Sequence, residues 1–171
     1  MRFEEENMTE FREMRRNKQE MSRERTIEVL DRATSGVLAV LGDGDYPYAV
    51  PLSFVYWEDK IYFHCAKAGH KLDAMRKCDK VSFCVIDQDQ VVGEEFTTYF
   101  RSAIAFGRVR ELEHFGEEFM EAHRRLSLKY WPEATQERID DDLKKEGMPM
   151  LVFAIDIEHM TGKEAKELVK K

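Results

Sequence analysis

"SGVLAVLGDGDYPYAVPLSFVYW", residues 35–57, decides the fold. Residues 35–42 are a short, mostly apolar run, and the "GDGD" that closes it is a turn signal. Residues 46–57 then read as a second strand. Run, turn and run mark the point where the helical period upstream gives way to a β period.

Upstream, Ser22 is placed to N-cap a helix running to about Ala33, with Ile27 and Leu30 facing inward. Residues 1–25 are nearly all polar and lack the apolar stripe of an independently stable helix. They read as an N-terminal arm that needs a partner surface, ahead of one domain at 26–171. Downstream, "EDK" turns the chain into a third strand, "IYFHCA" (61–66). "HKLDAMRK" (70–77) predicts a short helix, and "KVSFCVIDQ" (80–88) a fourth strand. Residues 96–112 are a long fifth strand or a bent pair. Residues 115–131 are an amphipathic helix, and "EATQERIDDDLKKEG" is a more polar one. "MLVFAIDIEHM" (150–160) closes the chain as a sixth strand. Six antiparallel strands, with one helix after the third and two before the sixth, predict an α+β chain, mostly β, built as a small closed barrel.

The composition narrows the function. At 171 residues, with 43% hydrophobic and 36% charged residues, the chain has the size and make-up of one globular domain. A formal charge of −7 argues against a nucleic-acid partner and requires that any anionic ligand be met by a local positive pocket. No apolar run is long enough to cross a bilayer. Cys65, Cys78 and Cys84 form no CxxC pair and cannot all pair within one chain, which fits a reducing cytoplasm.

"KIYFHCAKAGHKLDAM" (60–75) gathers two histidines, a cysteine and two lysines on a strand, its exit loop and a helix start. Gly69 lets the chain turn sharply, and His70 and Lys71 open the next helix, where free N–H groups and the helix dipole favour an anion. The tripeptide reads as a phosphate cradle or as an exposed basic loop. His64, mid-strand, is either a packed, hydrogen-bonded residue or a functional one. His64, Cys65 and His70 lack a fourth ligand and any zinc spacing, so no metal is expected. In "AVPLSF", Pro51 removes a backbone donor and belongs at an edge or where the ladder opens, beside Ser53. A planar heterocycle with its own donors and acceptors would suit such an opening. On strand five, Phe100, Ile104 and Phe106 share one face, and Tyr99, Arg101 and Ala103 the other. Arg101 there fits a ligand or subunit contact, or a surface salt bridge.

Taken in order and spacing, "SGVLAVLGDGDYPYAVPLSFVYW", "KIYFHCAKAGHKLDAM", "KVSFCVIDQ", "YFRSAIAFGRVREL" and "IDIEHMTGKEA" resemble the pyridoxamine-5′-phosphate-oxidase-like FMN-binding proteins, in particular the 5-nitroimidazole-resistance branch. The resemblance spans roughly residues 12–165. It implies a six-stranded antiparallel split β-barrel that forms a homodimer with FMN (or FAD) at the subunit interface. By position, the backbone of Val50, Pro51, Leu52 and Ser53 would border the flavin ring, and His64 and Cys65 would lie against it. His70 and Lys71 would hold the phosphate, Arg101 and Ser102 would approach from strand five, and Lys163 matches a terminal basic position. The chain carries no tryptophan after Trp131, whereas true pyridoxamine-phosphate oxidases complete their substrate site with a C-terminal tryptophan and arginines. Oxidation of vitamin B6 is therefore not expected.

The resulting expectation is an FMN-dependent oxidoreductase passing electrons from NAD(P)H to a small oxidised acceptor such as a nitro-aromatic. His64 would be its catalytic proton donor. Two alternatives are a non-catalytic flavin carrier or sensor, and a haem-utilising protein on the same barrel.

Overall fold

The structure, a computed structural model, describes residues 11–169; residues 1–10 of the expected arm lie outside them. Among the described residues eight strands form, not six: β1 (Glu20–Met21), β2 (Gly36–Leu41), β3 (Pro47–Leu52), β4 (Val55–Trp57), β5 (Lys60–Ala66), β6 (Lys80–Val92), β7 (Thr97–Glu111) and β8 (Met150–Glu164). The helices are α1 (Arg23–Arg32), α2 (His70–Lys77), α3 (Glu117–Tyr130) and α4 (Gln136–Glu146). All pairings are antiparallel, in the order β3-β2-β6-β7-β8-β5-β4, with β1 added on β8. This is the α+β split barrel, but the expected closure does not occur. The hydrogen-bonded path stays open between β3 and β4.

One of the two extra strands arises where residues 46–57 break into β3 and β4 instead of running through. Ser53 and Phe54 leave the ladder because the Tyr130 hydroxyl takes up Phe54: it accepts from Phe54 N at 2.9 Å and lies 3.0 Å from Phe54 O. Pro51 accordingly falls on the terminal strand of the path, where a missing donor costs no ladder bond. The other extra strand, β1, pairs Glu20 with Lys163 and Met21 with Gly162, carrying the chain onto the end of β8. The Oγ of Ser22 then accepts from Arg25 N and starts α1, which ends at Ala33 as its cap predicts. Thr26, Val29 and Leu30 form the buried face of α1, with Ile27 only half-buried. Gly162 is required where α1 crosses β8, because a Cβ there would run into the Thr26 hydroxyl.

The barrel interior holds Leu38, Val40, Phe54, Ile61, Phe63, Phe83, Val85, Phe153 and Ile155, closed by Leu30 of α1 and by Leu72 and Met75 of α2. A second apolar layer, of Tyr62, Phe119, Ala122, Leu126, Leu143, Val152 and Ala154, lies outside the barrel under α3 and α4. Residues 150–155 of β8 are therefore buried on both faces, which explains their unbroken apolar run. Each large side chain buried in either layer stabilises the fold by roughly 1.5–3 kcal/mol. The pleat of β5 then determines the chemistry. Ile61, Phe63 and Cys65 belong to the barrel core, and Tyr62 and His64 take the opposite face, under the helices.

Candidate functional site

Beneath α3 and α4 lies a cavity of about 530 Å³. Ser53, His64, Cys65 and Ala66 line it from the barrel side. His123, Leu126, Ser127 and Tyr130 line it from α3, Asp142 and Glu146 from α4, and Pro149 and Met150 from the approach to β8. Three residues expected at the site from the sequence thus meet in one place. His64 is the exposed residue near the end of β5, and it opens to the cavity. Desolvation holds the pKa of His64 below the ordinary histidine value, with the charges of His123 and Lys71 pressing the same way. Burial likewise pushes the Cys65 thiol up, against the pull of Lys71, so the thiol is protonated at neutral pH.

Lys71 carries a charge that acts on both His64 and Cys65. It opens α2, whose N-terminus no side chain caps. Gly69 before it has φ 135° and open space where a Cβ would stand. Among the described residues Lys71 makes no ion pair. A phosphate fits this corner: uncapped amides, a free cation and room for the group. His70 points elsewhere. Its ring stacks on Tyr48 (4.2 Å between centroids, 13°), and its Nε2 accepts from Asp43 N at 3.3 Å. Val50, Pro51 and Leu52 run along β3 with one edge unpaired and Ser53 follows it; Pro51 and Ser53 are exposed.

Arg101, Ser102 and Lys163 do not join this cavity within one chain. His64 sits opposite Val152 on β8, whereas Arg101 sits opposite Glu164 and Ser102 opposite Lys163. At about 3.3 Å per residue, some 40 Å of β8's contour separates the two groups. Arg101 donates to Gln88 Oε1 at 2.8 Å and lies 3.5 Å from Glu164 Oε2. Glu164 is itself buried and held by a two-pronged Arg25 at 2.7 and 2.6 Å. Lys163 stands 5.6 Å from the ring of Phe100. Between the two groups, the outer face of the barrel shows Val37 and Leu41 of β2, Ile86 of β6, and Ile104 and Phe106 of β7. Register places Val37, Cys84 and Ile104 in one row across three strands.

Sequence reasoning missed His123 and Asp142. His123 Nε2 lies 3.2 Å from Asp142 Oδ2, and its ring is buried. The available signal was a histidine inside the apolar stripe Phe119, Ala122, Leu126 of α3, which is a position for a partnered polar group. No cluster of histidine, cysteine and acidic residues suited to a metal occurs among the described residues. No described helix is long and apolar enough to cross a membrane.

A family model described as pyridoxamine 5′-phosphate oxidase matches residues 22–164. Among solved structures, the chain is similar to a Bacteroides thetaiotaomicron VPI-5482 protein provisionally assigned to 5-nitroimidazole antibiotic resistance. The TM-score is 0.71 at 20% identity, covering 85% of this chain and 86% of that one. It is also similar to a FAD-binding protein from Mesorhizobium loti, with TM-score 0.63 and 26% identity, covering 86% and 97%. A FAD- and haem-binding protein from Mycobacterium smegmatis gives TM-score 0.66 at 20% identity, covering 90% and 76%. No curated protein matches the sequence.

Proposed function

The chain belongs to the pyridoxamine 5′-phosphate oxidase family, and from that premise we propose that it is a flavin-dependent oxidoreductase that reduces a small oxidised acceptor, such as a nitro-aromatic, with electrons from NAD(P)H. The observation that carries this reading is that Ser53, His64 and Cys65 line one cavity and that the charge of Lys71, at the uncapped start of α2, acts on both His64 and Cys65. FMN is the preferred cofactor, because the cradle at Gly69–Lys71 suits a terminal phosphate. When bound, the flavin supplies two-electron transfer.

The residues of the chain do the rest. Lys71 and the first-turn amides of α2 bind the phosphate. The unpaired edge of β3 offers backbone donors and acceptors to a planar ring, and Pro51 keeps one position of that edge free of an N–H. Cys65, held as a thiol, borders the cavity from the end of β5 and presents no thiolate nucleophile there. His64 faces the cavity and delivers a proton to the acceptor as it is reduced.

Two copies make one site in this reading. Arg101, Ser102 and Lys163 are too far along β8 to reach the flavin of their own chain, and they would serve the flavin of the partner. The exposed apolar patch of Val37, Ile104 and Phe106 would form the dimer contact.

A second reading, haem binding, is favoured by one observation: His64 and His123 line the same cavity from a strand and a helix. The absorption spectrum of the purified protein decides between them. Flavin bands, a dimer in sedimentation and NAD(P)H consumption on adding a nitro-aromatic are expected. A Soret band, or a flavin-loaded monomer, would overturn the proposal. Flavin bands with no acceptor-dependent NAD(P)H consumption would make the protein a carrier or sensor.

A further inference from the structure

Asp142 and Glu146 stand four residues apart on α4 and line the cavity together. Residues at that spacing share one face of a helix, and like charges there repel. Glu146 is also the last residue of α4, where the helix dipole disfavours an anion. Lys144 of the same turn is turned to Asp141 instead, at 3.2 Å. Among the described residues the one ionisable partner of the two carboxylates is His123, whose Nε2 lies 3.2 Å from Asp142 Oδ2. With that ring neutral, the carboxylates bring two negative charges to the cavity; with it protonated, they bring one. The sign is negative in both cases.

Nothing else in the lining offsets that charge. Among the described residues no lysine or arginine lines the cavity. His64 adds little positive charge, because desolvation favours its neutral form, and the charge of Asp142 reaches its ring. Lys71 acts on His64 from outside the lining, and in the reading above the phosphate of the cofactor neutralises it. The rest of the wall suits an aromatic guest. Leu126, Pro149 and Met150 are apolar, and the volume of about 530 Å³ falls in the range of small-molecule sites. The Tyr130 hydroxyl is held by Phe54 N at 2.9 Å, which fixes a ring that is itself 42% exposed. A fixed aromatic ring beside carboxylates favours a cation.

We propose that this cavity selects its occupant by charge: it takes a small aromatic cation, such as a single ring bearing a protonated amine, and discriminates against an aromatic anion. Asp142 and Glu146 supply the attraction, and Tyr130, Leu126 and Met150 the surface for the ring. A bound cation relieves the repulsion that α4 otherwise bears between its two carboxylates. A phosphorylated or carboxylated guest of the same size meets charge of its own sign. The identification of the occupant with the electron acceptor rests on the reductase reading above; the charge preference does not.

The test uses the full chain as purified, oxidised and without electron donor, so that binding is read by calorimetry without turnover. Three probes of similar size are titrated at neutral pH and low salt: 3-nitrobenzylamine, a cation; 3-nitrobenzyl alcohol, which is neutral; and 3-nitrobenzoate, an anion. The amine is expected to bind roughly tenfold more tightly than the benzoate, with the alcohol between them, since each partly exposed charge interaction is worth a few-fold. Added salt should narrow that ratio. Glu146→Gln keeps the shape of an exposed side chain and removes one charge; the ratio should fall to about threefold, and to about twofold or less with Asp142→Asn added. Glu137→Gln removes the same charge from the first turn of α4, outside the cavity lining, and should leave the ratio near its parent value. No binding of any probe, a benzoate that binds as tightly as the amine, or a ratio that survives the double variant overturns the proposal. A ratio lowered as much by Glu137→Gln as by Glu146→Gln also overturns it, because the preference would then belong to the overall charge of the protein. The expected ratios with no probe-dependent NAD(P)H consumption would sink the reductase reading and leave the charge-selecting site standing.

Discussion

The hydroxyl of Tyr130 accepts a hydrogen bond from the backbone N–H of Phe54 at 2.9 Å and lies 2.8 Å from the carbonyl oxygen of Thr34. One side chain at the end of α3 thereby ties together the start of β2 and the break between β3 and β4. It also forms part of the cavity wall. Tyr130→Phe leaves the Phe54 amide without a partner while keeping the ring. The expected loss is on the order of 1–3 kcal/mol, read as a lower denaturant midpoint with an unchanged slope. An unchanged midpoint would mean that water replaces the hydroxyl at no cost.

That break was not legible in residues 46–57, which carry no internal stop apart from Pro51. Its cause lies 76 residues away in sequence. Local features fared better. Gly69 and the alternation in "HKLDAMRK" are sufficient to locate α2 at His70–Lys77, and Ser22 is sufficient to start α1. Face assignment on the fifth predicted strand also holds: Ile104 and Phe106 point outward and Ala103 and Ala105 inward. The closed barrel did not hold, because closure depends on whether β3 meets β4, a long-range fact without a local signature. At the site, Ser53, His64 and Cys65, all named from the sequence, line one cavity. The α3–α4 wall with His123 and Asp142 became visible only once the helices were docked.

The Arg25–Glu164 pair was equally hidden, since its partners lie 139 residues apart. Glu164 is 1% exposed, and Gln19 Nε2 also bonds its backbone carbonyl at 3.1 Å. Arg25→Met removes the main counter-charge from a carboxylate that cannot reach water. Breaking a buried pair from one side costs about 3–5 kcal/mol. Chemical denaturation of the variant should show a loss of that order. Arg25→Met with Glu164→Gln should recover a substantial part, and failure to do so would assign the loss to packing instead of charge.

Lys71→Ala tests the phosphate corner. Removing one charge-assisted contact should weaken FMN binding by about 1.5–3 kcal/mol, a tenfold or greater rise in dissociation constant. Stability without flavin should hardly change, because Lys71 makes no ion pair among the described residues. A flavin titration giving the parent affinity would move the phosphate elsewhere.

His64 links the pKa argument to turnover. Its folded-state pKa is depressed, chiefly by burial, below the ordinary 6.5. The unfolded chain therefore binds the proton more readily, and as pH falls below about 6.5 this group takes stability away from the fold. Catalysis runs the other way. The donor is the imidazolium, a minority at neutral pH, so acceptor reduction should rise as pH falls and level off below the depressed pKa. His64→Ala should flatten that profile and, on the acidic plateau, lower the rate by about 10²–10⁴-fold with the flavin retained. His64→Ala should also lose the acid-side decline in stability that this group contributes, seen as a smaller drop in the thermal midpoint between neutral and acidic pH. A variant with the parent's pH–rate profile and full flavin content would make His64 a packing residue, and a colourless variant would place the ring in cofactor binding instead of proton delivery.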